Sequence, residues 1–250
     1  MKSPSRPGSR RSSQHESKCR FCSVVHLRYT GPVTVTHRDA LLNRLARDSF
    51  RLGEFKLSSG GVSDYYIDCR TTTLSGEGGR LTGVVFLDLI GEHRLQPRAV
   101  GGLTLGADPI VSNLSAASAW QALDHPGASV LDGFLVRKAE KSHGAGRRIE
   151  GFCVSGAPVV IVDDVCTTGA STIAAIEAAR EAGMQILAVL CLVEREEANG
   201  RPAVEQAAQG APFHRIFSAA QVRAHSRYDS ITTAIGKSCL PGEAARWNCG

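Results

Sequence analysis

Residues 186–193 read ILAVLCLV, eight apolar side chains without a break. A strand with one face in water alternates apolar and polar residues, so an unbroken run has to be covered on both faces. Residues 159–162 (VVIV) repeat the pattern, and Ala99–Val100 begins it again before Gly101–Gly102. Strands are also expected over 130–136 and at Ile216–Phe217. Between these runs the apolar spacing changes to that of a helix. Val85, Phe86, Leu89 and Ile90 form one stripe within 78–92, and Ile173 and Ile176 another within 171–182, stopped by Gly183. A helix is expected to start near Pro109, because proline is tolerated in a first turn. Doubly covered strands alternating with helices predict an α/β fold, a parallel central sheet with helices on both faces.

Before this alternation the chain reads differently. Thr36 and Asp39 form a capping pair for a helix carrying Leu41, Leu42 and Leu45 and ending by Gly53. Residues 54–70 (EFKLSSGGVSDYYIDCR) predict two short strands around the turn at 58–61, a small N-terminal hood on the main sheet.

A chain of 250 residues suits one such domain with appendages. The net charge of +5 is unevenly placed: residues 1–36 hold seven Lys and Arg against Glu16 alone, which leaves the remainder near neutral. A near-neutral body gives no sign of a nucleic-acid groove, and no nucleic-acid partner is expected. Residues 1–35, rich in Ser, Arg and Pro, are expected to be a disordered basic extension; the domain is expected over 36–225 and a C-terminal segment over 226–250. The Arg- and Ser-rich start has the composition of a transit peptide, but no apolar stretch follows to make a secretory signal. No run of eighteen apolar residues exists, so no membrane span is expected. The eight cysteines are scattered, which reads as reduced thiols in a cytoplasmic setting. Cys19, Cys22 and His26 supply three ligands and no convincing fourth, so no metal site is expected there.

Ligands on parallel sheets bind at the carboxyl ends of strands. The stretch APVVIVDDVCTTGAST (157–172) occupies such a place. Strand 159–162 delivers Asp163 and Asp164 to the sheet edge, and Thr167, Thr168, Gly169, Ala170 and Ser171 turn into the following helix. Unpaired N–H groups at a helix start suit a phosphate; hydroxyls add donors, and Gly169 lets the backbone come close. Two carboxylates nearby suit vicinal hydroxyls. One loop then grips a phosphate at one end and a sugar diol at the other, which describes a ribose 5-phosphate. The chain has neither a GxxxxGK[ST] loop nor a GxGxxG after a strand, which argues against a P-loop enzyme and a dinucleotide-binding fold.

VVIVDDVCTTGAS resembles the phosphoribosyl pyrophosphate signature of the type I phosphoribosyltransferases, in the order and spacing of its apolar run, acid pair and T-T-G loop. Arg137–Lys138–Ala139–Glu140–Lys141–Ser142–His143–Gly144 resembles the mobile loop of the orotate-using members. On physical grounds, three cations and a histidine on a polar, glycine-flanked segment can close over a diphosphate and exclude water. Residues 55–60 and 64–68 resemble the same members' N-terminal segment, where an aromatic ring stacks on the base; Tyr66 is the candidate, with Tyr65 close behind. Residues 101–109 resemble the pyrophosphate loop, and Glu194–Arg195–Glu196 a stretch whose arginine contacts the pyrimidine carboxylate. The chain departs from many relatives in lacking a lysine at Ser58 and at Gly106 and an acid at Ser142; the nearest cation to Ser58 is Lys56.

The resemblance implies a Mg²⁺-dependent transfer in pyrimidine (UMP) biosynthesis: orotate and 5-phosphoribosyl 1-diphosphate give orotidine 5′-monophosphate and diphosphate. It implies that Asp163 and Asp164 hold ribose hydroxyls or metal-bound water, that Lys138, Lys141 and His143 act on the leaving group, and that Arg137, Tyr66 and Arg195 contact substrate. It further implies a homodimer in which loop 137–148 reaches the neighbouring active site. Two alternatives stay open: a transferase for another base, and a phosphoribosyl-pyrophosphate-sensing regulator whose basic tail contacts nucleic acid. An intact RKAEKSHG loop speaks against the regulator, which needs no clamp on a leaving group.

Overall fold

The computed structural model describes residues 35–56, 61–138 and 148–226. In chain order, α1 (His37–Arg44) runs into a π-helical turn (Leu45–Ser49), followed by β1 (Phe50–Lys56), β2 (Val62–Ile67), α2 (Arg70–Thr73) and α3 (Gly76–Glu92). Then come β3 (Ala99–Leu103), α4 (Asp108–Asp124), β4 (Asp132–Val136), β5 (Ile149–Gly151), β6 (Pro158–Cys166) and α5 (Ala170–Glu181). β7 (Gln185–Glu194), a 3₁₀ turn (Glu196–Ala198), α6 (Arg201–Ala208), β8 (Phe213–Ser218) and α7 (219–226) complete the described chain.

Six strands form the main sheet in the order β5-β4-β3-β6-β7-β8. All neighbours are parallel except β4 and β5, which form an antiparallel pair. Alternation of side chains explains the solid apolar runs. Val160, Val162, Leu190 and Leu192 point to one face and meet Leu41, Phe86 and Ile110 of α1, α3 and α4. Val159, Ile161, Val189 and Cys191 point to the other and meet Ile176 of α5 and Val204 of α6. Every one of these is almost fully buried, so truncating one such leucine to alanine costs about 2–5 kcal/mol.

The topology places a crevice. From β3 the chain passes through α4 to β4 on one side; from β6 it passes through α5 to β7 on the other. The connections therefore diverge between β3 and β6, whose pairing covers only Ala99–Gly101 against Val159–Ile161. Such a switch point is where open α/β sheets bind ligands. Over it stands the hood, β1 and β2 paired antiparallel with Phe50 opposite Ile67. In β2 burial alternates: Ser63, Tyr65 and Ile67 face inward, Val62, Asp64 and Tyr66 outward.

The capping box forms as expected, with Thr36 Oγ1 accepting the Asp39 N–H at 3.1 Å and Asp39 Oδ2 accepting the Thr36 N–H at 3.2 Å. Helical structure, however, ends at Ser49 rather than near Gly53. The ladder with β2 captures the chain from Phe50 onward, and the Phe50 ring stacks on Tyr65 with centroids 5.4 Å apart. β6 continues to Cys166, beyond the expected 162, because its ladder with β7 persists through Val165↔Val193 and Cys166↔Glu194. The sheet is mostly rather than wholly parallel, since β5 returns directly beside β4. Of the expected N-terminal extension and C-terminal segment, residues 1–34 and 227–250 lie outside the described residues. Among the described residues no helix is long and apolar enough to cross a membrane.

Candidate active site

A cavity of about 480 Å³ opens at the switch point. Its floor is the end of β6 and the turn into α5, contributing Asp163, Asp164, Thr167 and Ser171; one wall is the loop 103–106, and the hood adds Lys56 and Tyr66. Arg70, Lys138 and Arg195 bring further positive charge.

The turn at 167–171 has the form an anion needs. Gly169 caps α5 with φ +80° and ψ 0°, and no side chain caps the helix start. A methyl group at Gly169 would lie 2.5 Å from Val204 Cγ2, and one at Gly200 would lie 2.0 Å from the Thr167 carbonyl. The turn thus rests backbone on backbone against the start of α6. That start is itself fixed: Arg201 donates twice to Glu194, at 2.8 Å each, and Arg215 adds a third bond to the same carboxylate. Thr167 and Ser171 line the cavity. Thr168 and Ala170 are exposed and, with buried Gly169, complete the turn.

The two aspartates, expected to act together, are separated. Asp163 is only 5% exposed. Its Oδ2 accepts a short hydrogen bond from Thr172 Oγ1, and its Oδ1 accepts the Asp164 N–H at 3.0 Å. Burial, with the neighbouring Asp164 adding to it, pushes its carboxyl up to about 7. Asp164 is half-buried; its Oδ1 accepts the Val165 N–H at 2.9 Å. Burial raises its carboxyl too, while the charge of Arg70 acts in the opposite direction. So Asp164 is the more open of the two acids lining the cavity, and Asp163 also ties the end of β6 to the first turn of α5.

At the hood end the two tyrosines face different surroundings. Tyr66 is 41% exposed and lines the cavity, its ring 5.4 Å from that of Phe55. Tyr65 turns inward beneath it. Arg195 is 8% exposed, and its guanidinium lies 4.4 Å from the Tyr65 ring centroid. Its Nε donates to Tyr65 Oη at 3.0 Å and Glu197 Oε1 at 3.1 Å, and its Nη2 to Ser63 Oγ at 3.0 Å. Tyr65 Oη makes a short bond to the same Glu197 oxygen, and burial together with that carboxylate raises its hydroxyl to about 12. Only part of the Arg195 fork is therefore open. One edge is committed internally, leaving Nη1 without a bond among the described residues.

Arg137 is placed elsewhere. It stands at the base of the β4–β5 hairpin, its N–H on the Arg148 carbonyl at 2.9 Å and its Nη1 on Glu150 Oε1 at 3.1 Å, and it does not line the cavity. An acid on the adjacent strand captures it. Lys138, one residue on, does line the cavity. Lys141, His143 and Ser58 lie outside the described residues.

The chain matches no protein-family model. An orotate phosphoribosyltransferase of Streptomyces avermitilis is 42% identical over 180 residues, 72% of this chain and 93% of that protein. The crystal structure of Mycobacterium tuberculosis H37Rv orotate phosphoribosyltransferase in complex with Fe(III) dicitrate superposes with a TM-score of 0.63 at 34% identity, covering 75% of this chain and 99% of that one. The same enzyme in complex with 5-phospho-alpha-D-ribosyl 1-diphosphate gives 0.60 at 31%, over 75% and 99%. The chain belongs to the orotate phosphoribosyltransferase family. The turn at 167–171, the loop 103–106 and the hood stand around one cavity.

Several side chains that build the site leave little trace in the sequence. Thr172 reads as one more hydroxyl in a Ser–Thr pair, although a hydroxyl in the first turn of a helix can reach back to the strand before it. Ser63 gave no signal, because it meets Arg195 only across 132 residues of chain; Glu197 lies two residues from Arg195, but nothing local shows that the pair closes on the Tyr65 hydroxyl. Asp68 and Arg70 did leave one: an acid and an arginine two apart at a strand end form a bidentate pair, with N–O distances of 2.8 Å.

Proposed function

We propose that the protein transfers the phosphoribosyl group of 5-phosphoribosyl 1-diphosphate to orotate, releasing diphosphate and forming orotidine 5′-monophosphate for pyrimidine synthesis. The observation that carries this reading is the uncapped, left-handed turn at Gly169 facing the same cavity as Asp164. It offers unpaired amides for a 5′-phosphate and a carboxylate for the sugar hydroxyls.

In this reading the backbone from Thr167 to Ser171 anchors the phosphate, with the Thr167 and Ser171 hydroxyls as added donors. Asp164 accepts from the ribose hydroxyls and fixes the anomeric carbon in line between base and leaving group. Asp163 acts through Thr172, holding the phosphate turn in register with the strand. Tyr66 stacks on the pyrimidine, and Arg195 Nη1 donates to its carboxylate. Lys138, with Lys141 and His143, neutralises charge on the departing diphosphate, and His143 can donate a proton there. No covalent enzyme intermediate is needed, since orotate N1 with its charge delocalised is itself the nucleophile.

Asp164, a half-exposed carboxylate, suits a hard divalent cation with oxygen ligands. Mg²⁺ held there and by the diphosphate would neutralise leaving-group charge. A homodimer that brings loop 137–148 to the neighbouring site, and a cytoplasmic setting, belong to the same proposal. Buried free thiols at Cys69, Cys166 and Cys191 suit a reducing compartment.

The test is the absorbance change as orotate is consumed with 5-phosphoribosyl 1-diphosphate and Mg²⁺, run beside adenine, hypoxanthine and uracil. Turnover of orotate alone is expected. Silence with orotate, or preference for another base, would remove the assignment. Omitting Mg²⁺ is expected to abolish turnover, and sedimentation to give twice the chain mass.

A further inference from the structure

Four cationic side chains line the cavity among the described residues: Lys56, Arg70, Lys138 and Arg195. Arg195 is committed to Tyr65, Ser63 and Glu197 at the base end. Lys56 closes β1 in the hood, and Lys138 follows β4. Arg70, the first residue of α2, lines the cavity together with Leu103, Thr104, Leu105, Gly106 and Asp164. It also lines a second cavity that includes Leu105 and Asp108, so it forms part of the partition beside the loop 103–106.

Its geometry is set in advance. Nε donates to Asp68 Oδ1 and Nη2 to Asp68 Oδ2, both at 2.8 Å, and the Arg70 N–H reaches Oδ1 at 3.1 Å. Asp68 is anchored in turn by its own N–H on the Ser49 carbonyl at 3.0 Å. One edge of the guanidinium is therefore fixed. The side chain is still 42% exposed, and Nη1 makes no bond among the described residues. A guanidinium held by one edge and open on the other is preorganised for a phosphate oxygen. The loop itself holds no cation at Gly106, where any Cβ would lie 2.3 Å from Asp164 Oδ1.

We propose that Arg70 is a catalytic residue that binds the diphosphate, with Asp68 as its positioning residue. This rests on the phosphoribosyl transfer argued above. As the bond between the anomeric carbon and the diphosphate oxygen breaks, its electron pair leaves with the diphosphate. Orotate N1, already deprotonated, supplies the pair for the new C–N bond. The charge that accumulates on the leaving oxygen is what Arg70 offsets.

The experiment uses the full chain. Calorimetric titration with inorganic diphosphate in Mg²⁺ buffer is paired with steady-state kinetics. For Arg70→Ala, the diphosphate Kd and the KM for 5-phosphoribosyl 1-diphosphate are expected to rise about tenfold to a hundredfold. The KM for orotate stays within about twofold of wild type. Arg70→Lys, which keeps charge without the fork, should fall between, as should Asp68→Asn. Wild-type diphosphate affinity in Arg70→Ala overturns the proposal; if that variant does not fold, wild-type affinity in Arg70→Lys and Arg70→Gln does so. A wild-type protein that binds diphosphate but leaves orotate unconsumed refutes the functional reading instead, and the diphosphate affinities still decide the place of Arg70.

Discussion

The phosphate end of the cavity stands on β6 and β7, paired from Pro158↔Gln185 to Cys166↔Glu194 with one register shift at Val159/Val160, far from the cavity end, and buried on both faces. The base end stands on β1 and β2, a two-stranded ribbon whose outward side chains are exposed and whose register shifts between Leu52 and Phe55. At the first end the groups proposed to meet a ligand are mostly main-chain amides, aimed by the fold itself. At the second they are side chains, aimed by other side chains: Arg195 by Tyr65, Ser63 and Glu197. Damage at the phosphate end should therefore appear first as lost stability, and damage at the base end as lost affinity.

The severest challenge to this contrast is Gly169→Ala. Holding a non-glycine residue at φ +80° and forcing a methyl onto Val204 costs about 2–5 kcal/mol. A urea melt should show that loss together with weaker binding of 5-phosphoribosyl 1-diphosphate. An unchanged midpoint would mean that the turn is not the rigid floor described. Next comes Arg195→Ala, expected to raise the orotate KM about tenfold to a hundredfold while the other substrate's KM moves less than about twofold. Equal effects on both substrates would merge the two ends into one. Tyr65→Phe keeps the ring under Arg195 and removes the hydroxyl that it shares with Glu197. The orotate KM should rise about threefold to tenfold, with little change in melting.

The smallest effect is a pH slope at the phosphate end. Asp163 keeps its proton in the folded state up to about 7, against an ordinary value of 3.8. Between those values the folded chain binds more protons than the unfolded one, so this group's contribution to stability falls as pH rises. Asp163→Asn should remove that slope. Urea midpoints would then favour the variant over wild type more at pH 8 than at pH 5; a constant difference would show that the buried acid does not titrate as described.

The same contrast explains what could be read from the chain. The phosphate end is contiguous: an apolar run, two acids, hydroxyls and Gly169 lie within sixteen residues, so local physics was enough to name it. Even there, one linear stretch did not reveal that Asp163 turns inward to Thr172 while Asp164 faces out. At the base end, adjacent Tyr65 and Tyr66 are equivalent by composition. Only the phase of β2 against β1 decides which meets solvent, and that phase depends on Phe50, where the sequence suggested helix. The main strands were legible because double burial leaves an unbroken apolar record. β5, with three residues, and α6, with eight, are too short to leave a periodic one. Arg137 reads as a loop cation until its partner Glu150 arrives from β5.

Gly200 gives the contact beneath the phosphate turn a further meaning. It touches no ligand and lies thirty-one residues after Gly169, yet its bare backbone is the surface on which Thr167, Thr168 and Gly169 lie. An enzyme repaired or redesigned only within reach of its substrates would leave this position unguarded. A single methyl there would press on the anion cradle from below, and the whole fold would give way before the grip on substrate did.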